Sequence, residues 1–118
     1  FKVMSIVDNI TVLTALGNDY GYDSIFVRQL KVYGKKQDVL VGISASGNSK
    51  NIINAFEYAS TIGIKTVALT AFDGGKLRKI TDYSVHIPTG DKEYGPAEDL
   101  HMILDHLVGN YLMRLVKE

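Results

Sequence analysis

Four short apolar runs punctuate the chain, each bounded by polar or glycine-containing segments: Phe1–Val7, Asp38–Ile43, Lys65–Thr70 and Tyr83–Pro88. They are rich in β-branched residues, and the second and third are apolar at successive positions rather than at alternate ones. Strands covered by helices on both faces read this way, so the runs predict four strands of a buried parallel sheet. Between them the apolar spacing shifts to three and four residues. Ile25, Phe26, Val27, Leu30 and Val32 predict a helix over Ser24–Tyr33 that stops at Gly34. Ile52, Ile53, Ala55, Phe56, Ala59 and Ile62 predict another over Asn51–Ile62, stopped by Gly63. From Ala97 to the end, Leu100, Ile103, Leu104, Leu107, Val108, Tyr111, Leu112 and Leu115 predict a longer amphipathic helix. Alternating strand and helix gives an α/β fold with right-handed crossovers and helices on both faces. Ligands of such sheets bind where strands end and helices begin.

Composition narrows the function classes. At 118 residues the chain has the length of one domain, with 13 basic and 13 acidic residues. Zero net charge removes any global bias toward nucleic acid or an anionic membrane surface. Cysteine is absent, which excludes disulfides, thiolate nucleophiles and thiolate metal sites. No apolar run nears the roughly 18 residues of a membrane span, and no signal-peptide pattern opens the chain. The chain opens on Phe1 rather than Met, so the expectation is a piece of a longer protein.

The densest candidate chemistry follows the second run, in Gly42-Ile43-Ser44-Ala45-Ser46-Gly47-Asn48-Ser49. Three hydroxyls, a glycine and the first N–H groups of a new helix suit a phosphate. Ser44, Ser46 and Ser49 can each donate to a phosphate oxygen. Gly42, Gly47 and Ser49 fit the spacing of a nucleotide P-loop, but Asn48 stands where that loop needs lysine. A triphosphate would lack its charge partner, so no nucleotide cofactor is expected and a phosphomonoester fits better. The structural alternative makes Ser49 a helix cap and the other serines turn formers.

Two further segments carry polar groups. Asn18 and Asp19 sit in a polar stretch ahead of the Ser24–Tyr33 helix, either as Asx turn formers or with the Asp19 carboxylate accepting from sugar hydroxyls. On the last helix, Glu98 and His101 share a face at i, i+3, and Asp105 follows His101 at i+4. His106 lies roughly 80° round the helix from Glu98. Such a set can move protons, supply part of a zinc site, or form an ordinary solvated face. His101 reads as a local hydrogen-bonding residue, and His86 as structural.

The segment Ser44-Ala45-Ser46-Gly47-Asn48-Ser49 resembles the phosphate-binding loop of the sugar isomerase (SIS) domain family. Asn18-Asp19-Tyr20-Gly21-Tyr22 and Glu98-Asp99-Leu100-His101, continuing to His106, are similar to its phosphoheptose isomerase branch. The resemblance covers nearly all of the chain. It implies a three-layer αβα sandwich with a parallel, flavodoxin-like sheet, and one SIS domain over 1–118 that lacks its N-terminal helix and first strand. It further implies a cytoplasmic ketose–aldose isomerase that takes sedoheptulose 7-phosphate through an enediol, feeding heptose into lipopolysaccharide. Ser44, Ala45, Ser46 and Ser49 would hold the phosphate, and Asn18, Asp19 and Glu98 would contact substrate. His106 and Glu98 would act in catalysis or bind zinc, and members form homotetramers with active sites between subunits. Glu98 stands where the branch carries glutamine, Ala45 lacks a hydroxyl common in the loop, and Gly95 falls where an aspartate is usual. The departures bear on heptose more than on a sugar phosphate, and Glu98 carries a second reading: a non-catalytic SIS module that senses a phosphosugar or docks a protein.

Overall fold

The computed structural model describes residues 2–116. The chain runs through α1 (Ile10–Tyr20), a single 3-10 turn (Tyr22–Ser24), α2 (Ile25–Tyr33), β1 (Val39–Ser44), α3 (Lys50–Thr61), β2 (Lys65–Ala71), α4 (Leu77–Ile80), β3 (Tyr83–Ile87) and α5 (Tyr94–Val116). The three strands form one parallel sheet in the order β1-β2-β3. Its register sets Val41 opposite Val67, Ser44 opposite Thr70, and Thr70 opposite His86. The central strand β2 is the most buried, with Thr66, Ala68, Leu69, Thr70 and Ala71 all inside.

Helix α3 explains the packing. Phe56 drives its ring against Ala68 and Leu77, with Leu40, Ile52 and Ile80 around them. A second cluster joins Leu30 of α2 to Ala55 and Ala59 of α3 and to Ile64. A Cβ at Gly42 would lie 2.5 Å from Phe56 Cε2, so the ring can meet the β1 backbone only because that position is glycine. Burying an aromatic ring of this kind is worth a few kcal/mol, about 3–5 by the cost of truncating it.

Three of the four expected strands form, and the fold is α/β with helices packed on a parallel sheet. The strand expected over Phe1–Val7 does not. Phe1 lies outside the described residues, and residues 2–9 carry no ladder. Val3, Met4 and Val7 stand 82%, 58% and 54% exposed, and Ile6 is tied down through its carbonyl, which accepts the Gln29 side-chain amide at 2.9 Å. β-branched residues make a strand only where a neighbouring strand and a buried face receive them. The unforeseen α1 follows instead, opened by Asn9, whose Oδ1 accepts the Val12 N–H at 3.0 Å, and closed at Gly21 with φ 83°. The short α4 was also unforeseen.

Coverage of the sheet is uneven. Leu40 and Gly42 of β1 face α3, whereas Val39, Val41 and Ile43 on its other face are 60%, 58% and 56% exposed. Along α5 only Ala97 and His101 are buried. No helix among the described residues is long and apolar enough to cross a membrane.

Candidate functional site

Where β1 ends, the chain makes a turn that hydrogen bonds fix at nearly every residue. The Gly47 N–H donates to the Ser44 carbonyl at 2.9 Å, and Gly47 itself adopts φ 63°, which only glycine takes without strain. The Asn48 N–H donates to Ser46 Oγ at 3.2 Å, and its side-chain amide donates to the Ser46 carbonyl at 3.0 Å. Ser49 occupies the residue just before α3 in extended backbone, yet its hydroxyl does not cap the helix. It pairs with Ser44 Oγ at 3.0 Å. The capping alternative for Ser49 is therefore not the use this loop makes of it. The first turn of α3 keeps its positive dipole end facing the serines, with N–H groups that have no partner inside the helix.

A second loop, residues 72–76 after β2, locks against the first. The Ala71 N–H donates to the Ala45 carbonyl at 2.8 Å, the Leu77 N–H to the Gly47 carbonyl at 2.9 Å, and the Lys76 N–H to Asn48 Oδ1 at 3.1 Å. The backbones meet so closely that a Cβ on Gly47 would lie 1.9 Å from the Gly74 carbonyl oxygen. One on Gly75 would lie 2.4 Å from the Ser46 carbonyl oxygen. Beside this clasp opens a cleft of about 450 Å³ lined by Ser46, Asn48, Phe72, Asp73 and Asp91. Tyr94, at the start of α5, backs the Phe72 wall edge-on, with ring centroids 5.0 Å apart. Among its lining residues, the Ser46 hydroxyl and the Asn48 amide suit an anionic ester, and the Asp73 and Asp91 carboxylates can accept from hydroxyls of a polyol.

Of the residues expected at the site, Ser44, Ala45, Ser46 and Ser49 come together in this turn, and Ser46 lines the cleft. Ser44 is only 6% exposed, and Ala45 contributes its carbonyl to β2 rather than a side-chain donor. Asn18 and Asp19 are not in a turn ahead of the first helix. They form the last turn of α1, exposed, with the Asn18 amide donating to Asp19 Oδ1 at 3.0 Å, and neither lines the cleft. Glu98 and His106 are both exposed on α5, about 12 Å apart along the axis at 1.5 Å per residue. Glu98 follows Tyr94 by one turn and so shares the side of α5 that backs the cleft. His101, expected to hydrogen-bond locally, is instead 5% exposed with neither ring nitrogen partnered.

Zinc finds no complete ligand set here, because no three His, Asp or Glu side chains gather closely enough among the described residues. Glu98 and His106 supply two at most. Sequence reasoning missed Phe72, Asp73 and Asp91. The signal for the first two was present: Phe72-Asp73-Gly74-Gly75 directly follows β2, and ligand sites gather at the carboxyl ends of adjacent parallel strands. Asp91 comes from the β3–α5 connection, which no pattern in the sequence joins to the cleft.

A hydroxyl-rich turn between a parallel strand and a helix, clasped by a glycine loop from the next strand, has the make-up of an α/β phosphate-ester binder. The chain belongs to the SIS domain family, whose pattern matches residues 2–71. It is 39% identical over 113 residues to a phosphoheptose isomerase of Helicobacter pylori, covering 96% of this chain and 58% of that protein. The solved phosphoheptose isomerase of Neisseria gonorrhoeae superposes with a TM-score of 0.84 at 36% identity, over 88% of this chain and 57% of that one. That of Francisella tularensis gives 0.88 at 28% identity, over 94% and 61%. The chain thus spans a little over half the length of the relatives it matches.

Proposed function

We propose that the chain is the phosphosugar-holding part of an aldose–ketose isomerase acting on sedoheptulose 7-phosphate or a close analogue. The observation that carries this reading is the serine turn at the end of β1, held open beside a cleft that mixes ester-binding donors with polyol acceptors. Similarity to phosphoheptose isomerases from several bacteria supports the same substrate class. Ser46, Ser49 and the first amides of α3 receive the phosphate, while Asp73 and Asp91 face the hydroxyl-bearing chain.

Isomerisation moves one proton between adjacent carbons and one between their oxygens: a base takes the proton from the carbon beside the carbonyl while the carbonyl oxygen gains one, an enediol forms, and the proton returns to the former carbonyl carbon as the other hydroxyl loses its own and becomes the new carbonyl. Glu98 and His106 are the groups assigned to this transfer. Both stand in solvent on α5, and in this reading a second copy of the chain completes the cleft they serve, in a homotetrameric assembly. The exposed apolar residues of α5, Leu107 and Tyr111 at 63% each among them, support self-association. The test is incubation of the full-length protein with sedoheptulose 7-phosphate. Aldose product is expected, with His106→Ala lowering kcat by roughly a hundredfold or more. Phosphosugar binding with no turnover would favour the sensor reading, which the exposure of Glu98 and His106 keeps open. Turnover unchanged by His106→Ala would remove the histidine from the mechanism.

A further inference from the structure

One transverse row of the sheet carries three hydrogen-bonding side chains. Ser44 on β1 is in register with Thr70 on β2, and Thr70 with His86 on β3. Register partners in parallel strands point to the same face. The row lies at the carboxyl end of the sheet, where the serine turn begins. Ser44 is 6% exposed and Thr70 not at all. At one end of the row Ser44 Oγ meets Ser49 Oγ at 3.0 Å, and at the other Thr70 Oγ1 meets His86 Nδ1 at 3.1 Å. The residue after Thr70, Ala71, gives its N–H to Ala45 inside the serine turn. Thr70 therefore stands at the point where β2 carries the turn, and the imidazole satisfies its hydroxyl.

Two charged groups act on that ring, Arg78 from α4 and Asp73 from the clasping loop. Partial burial and the Arg78 guanidinium hold the imidazole below the usual histidine range, against the opposing pull of Asp73. Asp73 also lines the cleft. The ring is thus tied by a hydrogen bond to the strand that holds the serine turn.

We propose that His86 is a positioning residue for the anion site: its bond to Thr70 fixes the end of β2 on which the serine turn is carried. It touches no ligand itself. An apolar residue at this position would fill the space but leave the Thr70 hydroxyl buried without its partner, freeing it to compete for the backbone that holds the turn. The inference rests on the reading of the serine turn as a phosphate site.

The experiment titrates the full-length protein with inorganic phosphate and follows the amide resonances of Ser46, Gly47 and Ser49 by NMR. His86→Asn sets an amide where Nδ1 lies, whereas His86→Leu keeps bulk and loses the hydrogen bond. Phosphate affinity is expected to fall about fivefold in His86→Leu and to stay within about twofold in His86→Asn, one hydrogen bond being the difference. Thr70→Val, which cuts the same bond from the other side, is expected to match His86→Leu and serves if that variant does not fold. The wild-type His86 ring resonance is expected to move as phosphate binds. Unchanged affinity in His86→Leu or Thr70→Val, or equal losses in His86→Asn and His86→Leu, overturns the assignment. A wild-type protein that binds no phosphate brings down the site reading itself, which these variants alone do not.

Discussion

The serine turn and helix α5 bear the residues proposed for binding and for chemistry, and the fold treats them oppositely. The turn is held by bonds from β2, from the 72–76 loop and from α4, and at Gly47 the backbones meet so closely that no side chain fits. Helix α5 is the longest element, with 23 residues, yet it buries only Ala97 and His101. The proposed anion cradle is thus braced by neighbouring elements of its own chain, whereas the residues proposed for proton transfer stand on a helix that the described residues leave largely uncovered. A cradle for a phosphate must hold several donors within tenths of an ångström, which calls for rigid local support. A helix whose apolar side stands exposed takes its final packing from whatever covers it.

The sharpest way to break this contrast is at Gly47. Alanine there must take φ 63° and push a methyl into the Gly74 carbonyl. Gly47→Ala is expected to cost roughly 3 kcal/mol in urea unfolding, since strain and overpacking coincide, and to abolish phosphate binding. If stability and binding both survive, the two loops are not locked together. Ser49→Ala is the milder cut. It removes the partner of the buried Ser44 hydroxyl without touching backbone, so phosphate affinity is expected to drop about tenfold, near 1.4 kcal/mol, with the melting temperature lowered by only a few degrees. Equal loss of both would make Ser49 a fold residue rather than a ligand residue.

What the sequence disclosed follows the same division. Strands β1, β2 and β3 and helices α2, α3 and α5 were legible because apolar period and glycine stops report burial against neighbours nearby in sequence. The serine turn was legible because its chemistry is compressed into six residues. The Phe1–Val7 strand misled because an apolar run specifies a strand only if another strand pairs with it, and residues 2–9 find none. Helix α1 was passed over although Ile10, Val12, Leu13 and Leu16 keep helical spacing after Asn9. Asn18 and Asp19 drew attention as polar residues, which hid that they complete its last turn. Asp91 and the buried ring of His101 were beyond reach, because both depend on how α5 and its connection dock.

Away from both regions, the opposite end of the sheet offers a control. Asp82 accepts from Lys65 Nζ at 2.8 Å and from the Thr66 N–H and hydroxyl at 2.9 Å each, which lowers its pKa from 3.8 to about 2. Because the folded-state value is depressed, its stabilisation is complete above about pH 4 and is lost as pH falls toward 2. Asp82→Asn is expected to flatten the acid limb of the stability profile between those values while leaving phosphate affinity alone. A variant as acid-sensitive as the wild type would show that other carboxylates govern that limb.

The smallest expected effect lies on α5. His101 has neither ring nitrogen bonded, so its polar atoms contribute desolvation cost and its body contributes packing. His101→Leu is expected to leave stability unchanged or raise it by up to about 1 kcal/mol, measured on the monomeric protein at high dilution. Exposed apolar positions on the same helix should behave differently. Leu107→Ser and Tyr111→Ser remove groups already in solvent, so the monomer should shift by no more than about 0.5 kcal/mol. If α5 is the surface by which copies meet, the same two changes must move sedimentation toward the monomer and lower isomerase turnover while phosphate still binds the serine turn. Loss of phosphate binding along with assembly would mean that the turn, too, depends on a neighbour, and the division between a self-sufficient cradle and a dependent helix would be wrong.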